Sequence, residues 1–204
     1  QLRQRGDVAF ALPRTRQIAA TAQLGAVTVE MLPTADNDPL LAGMPMPKGL
    51  DQIVLSHTAA EKLGAKAGDW LQASFGRQVA GRVEAQRTRV QVLQVLPLEA
   101  FARDGLFAPL GLLEAAEDYR DGRAVPAFGW DGDAVGVSEQ RVYPAFRLYA
   151  RRLVDVEPLR VYFAGQNVLV STQAQTIAQV QSLSRNLSIV FWIIAGLALA
   201  GAFA

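Results

Sequence analysis

The stretch Val8–Leu32, VAFALPRTRQIAATAQLGAVTVEML, governs how the rest of the chain is read. VAFAL (Val8–Leu12) reads as a short strand closed by Pro13, which has no N–H to give to a ladder. RTRQIAATAQL (Arg14–Leu24) is alanine-rich and reads as a helix that Gly25 ends. AVTVEML (Ala26–Leu32) alternates, is rich in β-branched residues, and reads as a strand. The stretch is therefore expected to form a β-α-β unit. The same order returns near the other end of the chain. AFRLYAR (Ala145–Arg151) reads as a strand, and DVEPLRVYFAG (Asp155–Gly165) as a helix capped by Asp155 with Pro158 in its first turn. NVLVST (Asn167–Thr172) reads as a strand.

The segment between these two units is rich in strands. Thr34–Gly49 is a loop dense in Pro, Gly, Asn and Asp. Ile53–Leu55 reads as a short strand, followed by Ser56 as N-cap of HTAAEKL and Gly64 as its C′ residue. Ala67–Phe75 and Val79–Pro97 alternate apolar with polar and suggest consecutive antiparallel strands. Gly111–Arg120 reads as a helix that Gly122 closes, and Arg123–Arg141 as a long loop. The fold class that follows is α+β: a mixed sheet built from two βαβ units, with helices on one face. A strand-rich insertion covers about residues 50–141.

Thr172 and Gln175 fit a capping box that starts another helix. Ile177, Val180, Leu183, Leu187, Val190 and Ile194 follow at three- and four-residue steps, with Gln179, Gln181, Ser184, Arg185 and Asn186 between them. After Arg185 no charged residue appears. At about 1.5 Å per residue the uncharged run would span about 28 Å as a helix, against a bilayer core about 30 Å thick. Gly196 and Gly201 are small positions that transmembrane packing uses. A buried core helix is the plainer alternative, but the run has no polar face. Residues 1–172 are thus expected to form one α+β domain, 173–187 a stalk helix and 188–204 a transmembrane helix cut short. The chain is expected to be part of a larger membrane protein. No signal peptide opens it, so an exporting signal is expected upstream of residue 1.

Composition narrows the function further. Half of the 204 residues are apolar, enough for a real core, and 20 Lys and Arg against 19 Asp and Glu leave a net charge of +1. That balance argues against nucleic acid as a partner. Arg3, Arg5, Arg14 and Arg16, and Arg82, Arg87 and Arg89, are interrupted by apolar or acidic residues and read as solvated faces. With no cysteine, thiolate nucleophiles and Cys-type zinc sites are ruled out. His57 is the one histidine and falls in the first turn of a short helix, as an exposed or capping residue. Asp36–Asp38 and Asp131–Asp133 lack the glycine and glutamate of a calcium loop and read as turns. Glu114, Glu117 and Asp118 read as a helix surface, and no GxxxxGK[ST] phosphate loop is present. No catalytic, cofactor-binding or metal-binding residue is expected.

Two stretches carry a family resemblance. IVLSHTAAEKLGAKAGDWL (Ile53–Leu71) resembles a segment in the extracytoplasmic domains of FtsX-like and MacB-like ABC transporter permeases. There a strand, a small polar residue, a helix ending in Leu-Gly, and a Gly-Asp pair precede the next strand. The matching positions are Ile53–Leu55, Ser56, Ala60, Leu63, Gly64, Gly68 and Asp69. Asn167–Phe203 is similar to the last strand, stalk helix and second transmembrane helix of those permeases. Together the two cover a little over a quarter of the chain, and residues 97–141 have no counterpart.

The resemblance implies a porter-like periplasmic domain of the bacterial inner membrane, with residues 1–187 on the periplasmic side. It implies a permease dimer, homo- or heteromeric, bound to a cytoplasmic ABC ATPase subunit in the lipid bilayer, with a possible periplasmic partner. ATP-driven closure would pass through the stalk, by mechanotransmission, to a domain that handles lipoproteins, peptides or drug-like molecules. The stalk residues would be Ile177, Val180, Leu183 and Leu187, and no catalytic residue is implied. Two other readings remain: a periplasmic ligand-binding sensor of a membrane receptor, and a membrane-anchored enzyme, for which the stock of catalytic groups is poor.

Overall fold

A computed structural model describes residues 5–16, 20–79, 81–133 and 141–170. In chain order the described strands are β1 (Val8–Arg14), β2 (Thr21–Leu24), β3 (Val27–Thr34), β4 (Gln52–Leu55), β5 (Trp70–Val79), β6 (Arg82–Val95), β7 (Gly105–Pro109) and β8 (Ala145–Ala150). The α-helices are α1 (His57–Leu63), α2 (Leu110–Arg120) and α3 (Val156–Gly165). The chain divides into two compact units. One runs from Phe10 to Tyr149, and the other combines the residues up to Ala9 with those from Ala150 onward.

The Phe10–Tyr149 unit is organised by a closed barrel in the order β2-β3-β7-β4-β6-β5. Most pairs are antiparallel. Two are parallel: β3 beside β7, from Glu30↔Gly105 to Thr34↔Pro109, and β4 beside β6, with a register shift between Ile53 and Val54. Antiparallel pairing of β2 with β5 (Gln23↔Ser74, Leu24↔Ala73) closes the ring. Closure removes the open edges that an isolated sheet would present.

The short apolar runs are explained by two cores. Along β3, β4 and β7 the side chains alternate between them. Met31, Ile53, Leu55, Leu106 and Ala108 join the larger core with Leu24, Phe75, Val90 and Val92, and with Leu112, Leu113 and Tyr119 of α2. Leu32, Val54 and Phe107 point the other way, into a smaller core with Leu41 and Leu96. Strands buried on both faces read as continuous hydrophobic runs, which is why IVL and LFA show no alternation. In the segment expected to be a loop, a 3₁₀ turn at Pro126–Phe128 delivers Trp130 to the larger core. Its ring lies 4.7 Å from Phe128, 5.2 Å from Phe75 and 5.4 Å from Tyr119.

This architecture overturns the expected mixed sheet of two βαβ units. Thr21–Leu24 lies in the segment expected to be helical, yet it is strand β2, with Ala22 and Leu24 buried and Thr21 and Gln23 exposed. Gly25 is not a helix C′ residue. With φ at 55°, it opens a two-residue turn that pairs Leu24 with Val27, as a primed hairpin turn requires. Alanine's helical advantage is only about 0.5 kcal/mol per residue, and ladders on both sides of β2 override it. What read as an insertion, about 50–141, supplies four of the barrel strands, β4 to β7, which join the N-terminal β2 and β3. Strand β7 (Gly105–Pro109) has no counterpart among the elements legible in the sequence. Strand β8 pairs with β1 in a separate two-stranded sheet.

The strand expected at Asn167–Thr172 is also corrected over its described part. Residues 168–170 are irregular, and Asn167, at φ 57°, ends α3 in a Schellman arrangement in which Val168 N donates to Phe163 O at 3.0 Å. In this second unit α3 buries Leu159 and Phe163. Asp155 precedes α3 without capping it through its side chain, because its carboxylate accepts from Arg152 Nε at 3.0 Å and Nη2 at 2.8 Å. The Arg5 guanidinium sits 4.1 Å from the Tyr162 ring centroid. Among the described residues no helix is long and apolar enough to cross a membrane. The expected stalk and transmembrane segments, 173–187 and 188–204, lie outside the described residues, and Ile177, Val180, Leu183 and Leu187 with them.

Candidate functional site

The segment from Ser56 to Asp69 forms a tightly bonded connection within the barrel. Ser56 is fully buried, and its Oγ accepts from Ala59 N at 3.2 Å, capping α1, and from Gly105 N at 3.0 Å, at the start of β7. Ser56 N donates back to Gly105 O at 2.9 Å. One small hydroxyl thus starts a helix and joins it to a strand far along the chain. Gly64 ends α1 at φ 62°, and Ala65 N donates to Ala60 O at 2.9 Å. Gly68, at φ 94°, is the third residue of a turn from Lys66 to Asp69, where a positive φ calls for glycine. Asp69 Oδ2 accepts from Lys66 N at 2.8 Å, and Gly68 N donates to Val92 O at 2.7 Å. Each of the four motif residues holds backbone in place.

The carboxylates of Glu114, Glu117 and Asp118 on α2, and that of Asp38, are engaged in ion pairs and hydrogen bonds. Glu117 is buried on α2 between Arg16 Nε, at 2.9 Å, and Arg141 Nη1, at 2.7 Å. Burial alone would raise its carboxyl pKa. Hydrogen bonds from Arg16 and Arg141 outweigh that and hold it below the usual carboxylate range. Asp118 accepts from Arg141 as well, and Glu114 from the Tyr143 hydroxyl. Burial and that carboxylate push the Tyr143 hydroxyl up to about 12. Asp38, within the Asp36–Asp38 run, is fully buried. It caps the turn at Pro39–Leu41 by accepting from Leu40 N, takes a 2.7 Å bond from the Thr34 hydroxyl, and pairs with Arg147. The Arg147 guanidinium also lies among the rings of Phe10, Phe107 and Tyr149. Asp133 is held by backbone bonds to Gly122 and Ala124. His57 is the exposed first residue of α1. Among the described residues no group of His, Cys, Asp and Glu is arranged to hold a metal ion.

A different place in the barrel is open. A cleft of about 520 Å³ lies beside β2 and β5, between the hairpin turn at Gly25 and the end of α1 at Leu63. Trp70, Gln72, Ser74, Arg87 and Gln23 line it. Trp70 is 46% exposed, unusual for the largest side chain in a well-packed domain. None of these residues was singled out as a site in the sequence. The alternation of β5 and β6 was a usable signal for their common face, but the pairing of β2 with β5 carries no local signal. Against known proteins, the chain matches no family model and no curated protein.

Proposed function

We propose that the chain is the extracytoplasmic domain of an ABC transporter permease, coupling cytoplasmic ATP hydrolysis to export or extraction of a substrate. The observation that carries the reading is in the sequence. Polar and apolar residues at helical spacing from Thr172 to Asn186 continue without a break into an uncharged run to Ala204. Such a pattern suits a rod that ties a folded domain to a membrane helix. The segment Ile53–Leu71, in which Ser56, Gly64, Gly68 and Asp69 each have a structural task, is consistent with it. The role is mechanical rather than catalytic, and the ATPase resides on a separate chain. The domain sits on the periplasmic side of the bacterial inner membrane in a permease dimer.

The test is to express the full-length parent protein with the ATPase encoded beside it and to purify through this chain. Co-purification with ATP hydrolysis in nanodiscs is the expected result. Val180→Pro or Leu183→Pro should then uncouple hydrolysis from transport while the domain stays folded. Purification without an ATPase, or normal transport by both proline variants, overturns the reading. One observation favours a second reading, a ligand-binding sensor: the open cleft beside Trp70. That reading expects no bound ATPase and a signalling domain elsewhere in the parent.

A further inference from the structure

The cleft wall is built by strand register. Cross-strand partners share a face, so Gln23↔Ser74 and Ser74↔Arg87 place Gln23, Ser74 and Arg87 in one row across β2, β5 and β6. The next rows are Gln72 with Arg89 and Trp70 with Gln91. The alternate residues Ala73, Phe75 and Val90 face the core and are fully buried. The outer face therefore carries amides, a hydroxyl, two guanidinium groups and an indole. No carboxylate shares these rows.

These groups differ from the other polar clusters of the chain. Arg16, Arg77, Arg141 and Arg147 each have a carboxylate partner. Arg87 has none among the described residues, and the side chains of Gln23, Gln72 and Ser74 make no hydrogen bond there. Arg89 instead lies 5.0 Å from the centroid of the Trp70 ring, which lines the cleft, within cation–π distance. Leu63 of α1 adds apolar surface to the lining. A volume of about 520 Å³ falls within the range of small-ligand sites.

The chemistry selects a ligand class. A guanidinium fork without a partner matches a planar carboxylate and binds it in bidentate fashion. Two primary amides and a hydroxyl, each able to donate and accept, match a ring of hydroxyl groups. An exposed indole offers an apolar face to a flat ligand with polar edges. A lipid tail or a purely apolar drug would leave the glutamines and Arg87 unpaired, at a cost. We propose that the outer face of β2, β5 and β6 binds a saccharide carrying a carboxylate. Arg87 takes the acid group, Gln23, Gln72 and Ser74 take the hydroxyls, and Trp70 takes the face of the sugar ring. The inference uses only the described residues and holds for a transporter and a sensor alike.

Calorimetric titration of the full chain in detergent tests it with four probes. These are trigalacturonate, its neutral counterpart maltotriose, citrate as an acid without a sugar, and a short acidic peptide. Trigalacturonate should bind, and maltotriose and citrate at least about tenfold more weakly. Arg87→Ala and Trp70→Ala should each weaken trigalacturonate by about tenfold or more. Arg82→Ala, at an exposed arginine outside the cleft lining, should leave binding unchanged and serves as the control for folding and overall charge. The proposal is overturned if trigalacturonate does not bind, or if it binds equally well to Arg87→Ala. Equal binding of maltotriose removes the role of the acid. Equal binding of citrate or the peptide removes the saccharide. Either result also overturns it.

Discussion

Ser56 shows how much one hydroxyl can hold in this barrel. Its Oγ satisfies the N–H of Ala59 at the start of α1 and the N–H of Gly105 at the start of β7, both in buried surroundings. Ser56→Ala removes a cap and leaves a buried donor without a partner. The expected loss is about 1–3 kcal/mol, read as a lower urea midpoint with an unchanged m-value. Asp38 has a different stake. Its carboxylate neutralises Arg147 in a pocket walled by Phe10, Phe107 and Tyr149, where water does not reach two of the guanidinium nitrogens. Removing one partner of a buried pair strands the other charge. Asp38→Ala should therefore cost about 3–5 kcal/mol, well above the loss at Ser56. A replacement of both residues by apolar ones should recover part of it. A double-mutant cycle on thermal unfolding checks this.

At the scale of elements, β2 is the instructive case. As a helix, Arg14–Leu24 would place Ala22 and Gln23 on adjoining parts of one cylinder. As a strand it sends them to opposite faces, with Ala22 in the larger core and Gln23 outside. Ala22→Asp should destabilise by several kcal/mol because it buries an unpaired carboxylate. Gln23→Thr should change stability by no more than about 0.5 kcal/mol. Similar effects from both substitutions would contradict the strand. α1, α2 and the β5–β6 hairpin were readable in advance because their signals are local. Ser56 and Gly64 bracket α1, and alternation marks β5 and β6. β7 was not readable. Five residues buried on both faces carry no period, and Pro109 beside Leu110 hides the step from strand to helix.

Acid sensitivity belongs to the scale of the whole molecule, because the carboxylates responsible join segments distant in sequence. Arg16 and Glu117 are separated by 101 positions. The Glu117 carboxyl is held below its ordinary value in the folded chain. Its contribution to stability is therefore complete above the unfolded value of about 4.3. It is lost as pH falls through that value toward the lower folded one. A hydrogen bond from Lys62, 42 positions away, likewise holds the Asp104 carboxyl low. The urea midpoint should fall on going from pH 7 to below pH 4. Glu117→Gln should cost about 1–3 kcal/mol of stability at pH 7, read as a lower urea midpoint, and should flatten the fall of the midpoint with acid. An unchanged pH profile in that variant would place the acid sensitivity elsewhere.

The sequence by itself determined the local devices: the Ser56 cap, the helix end at Gly64, the turn at Gly68–Asp69, the alternating β5 and β6, and an uncharged run after Arg185. Each depends on residues within one or two turns of chain, so its physics is complete in a short window. Tertiary structure alone decided that β3 lies beside β7, that β4 lies beside β6, and that β2 closes a barrel against β5. It also decided that Asp38 meets Arg147, 109 positions away, and that Gln23 joins Ser74 and Arg87 along one cleft wall. Backbone ladders accept nearly any side chain, so pairing between distant strands leaves little trace in local sequence. The pairing is chosen by burial of both faces of β3, β4 and β7, and that choice exists only when the whole barrel is closed.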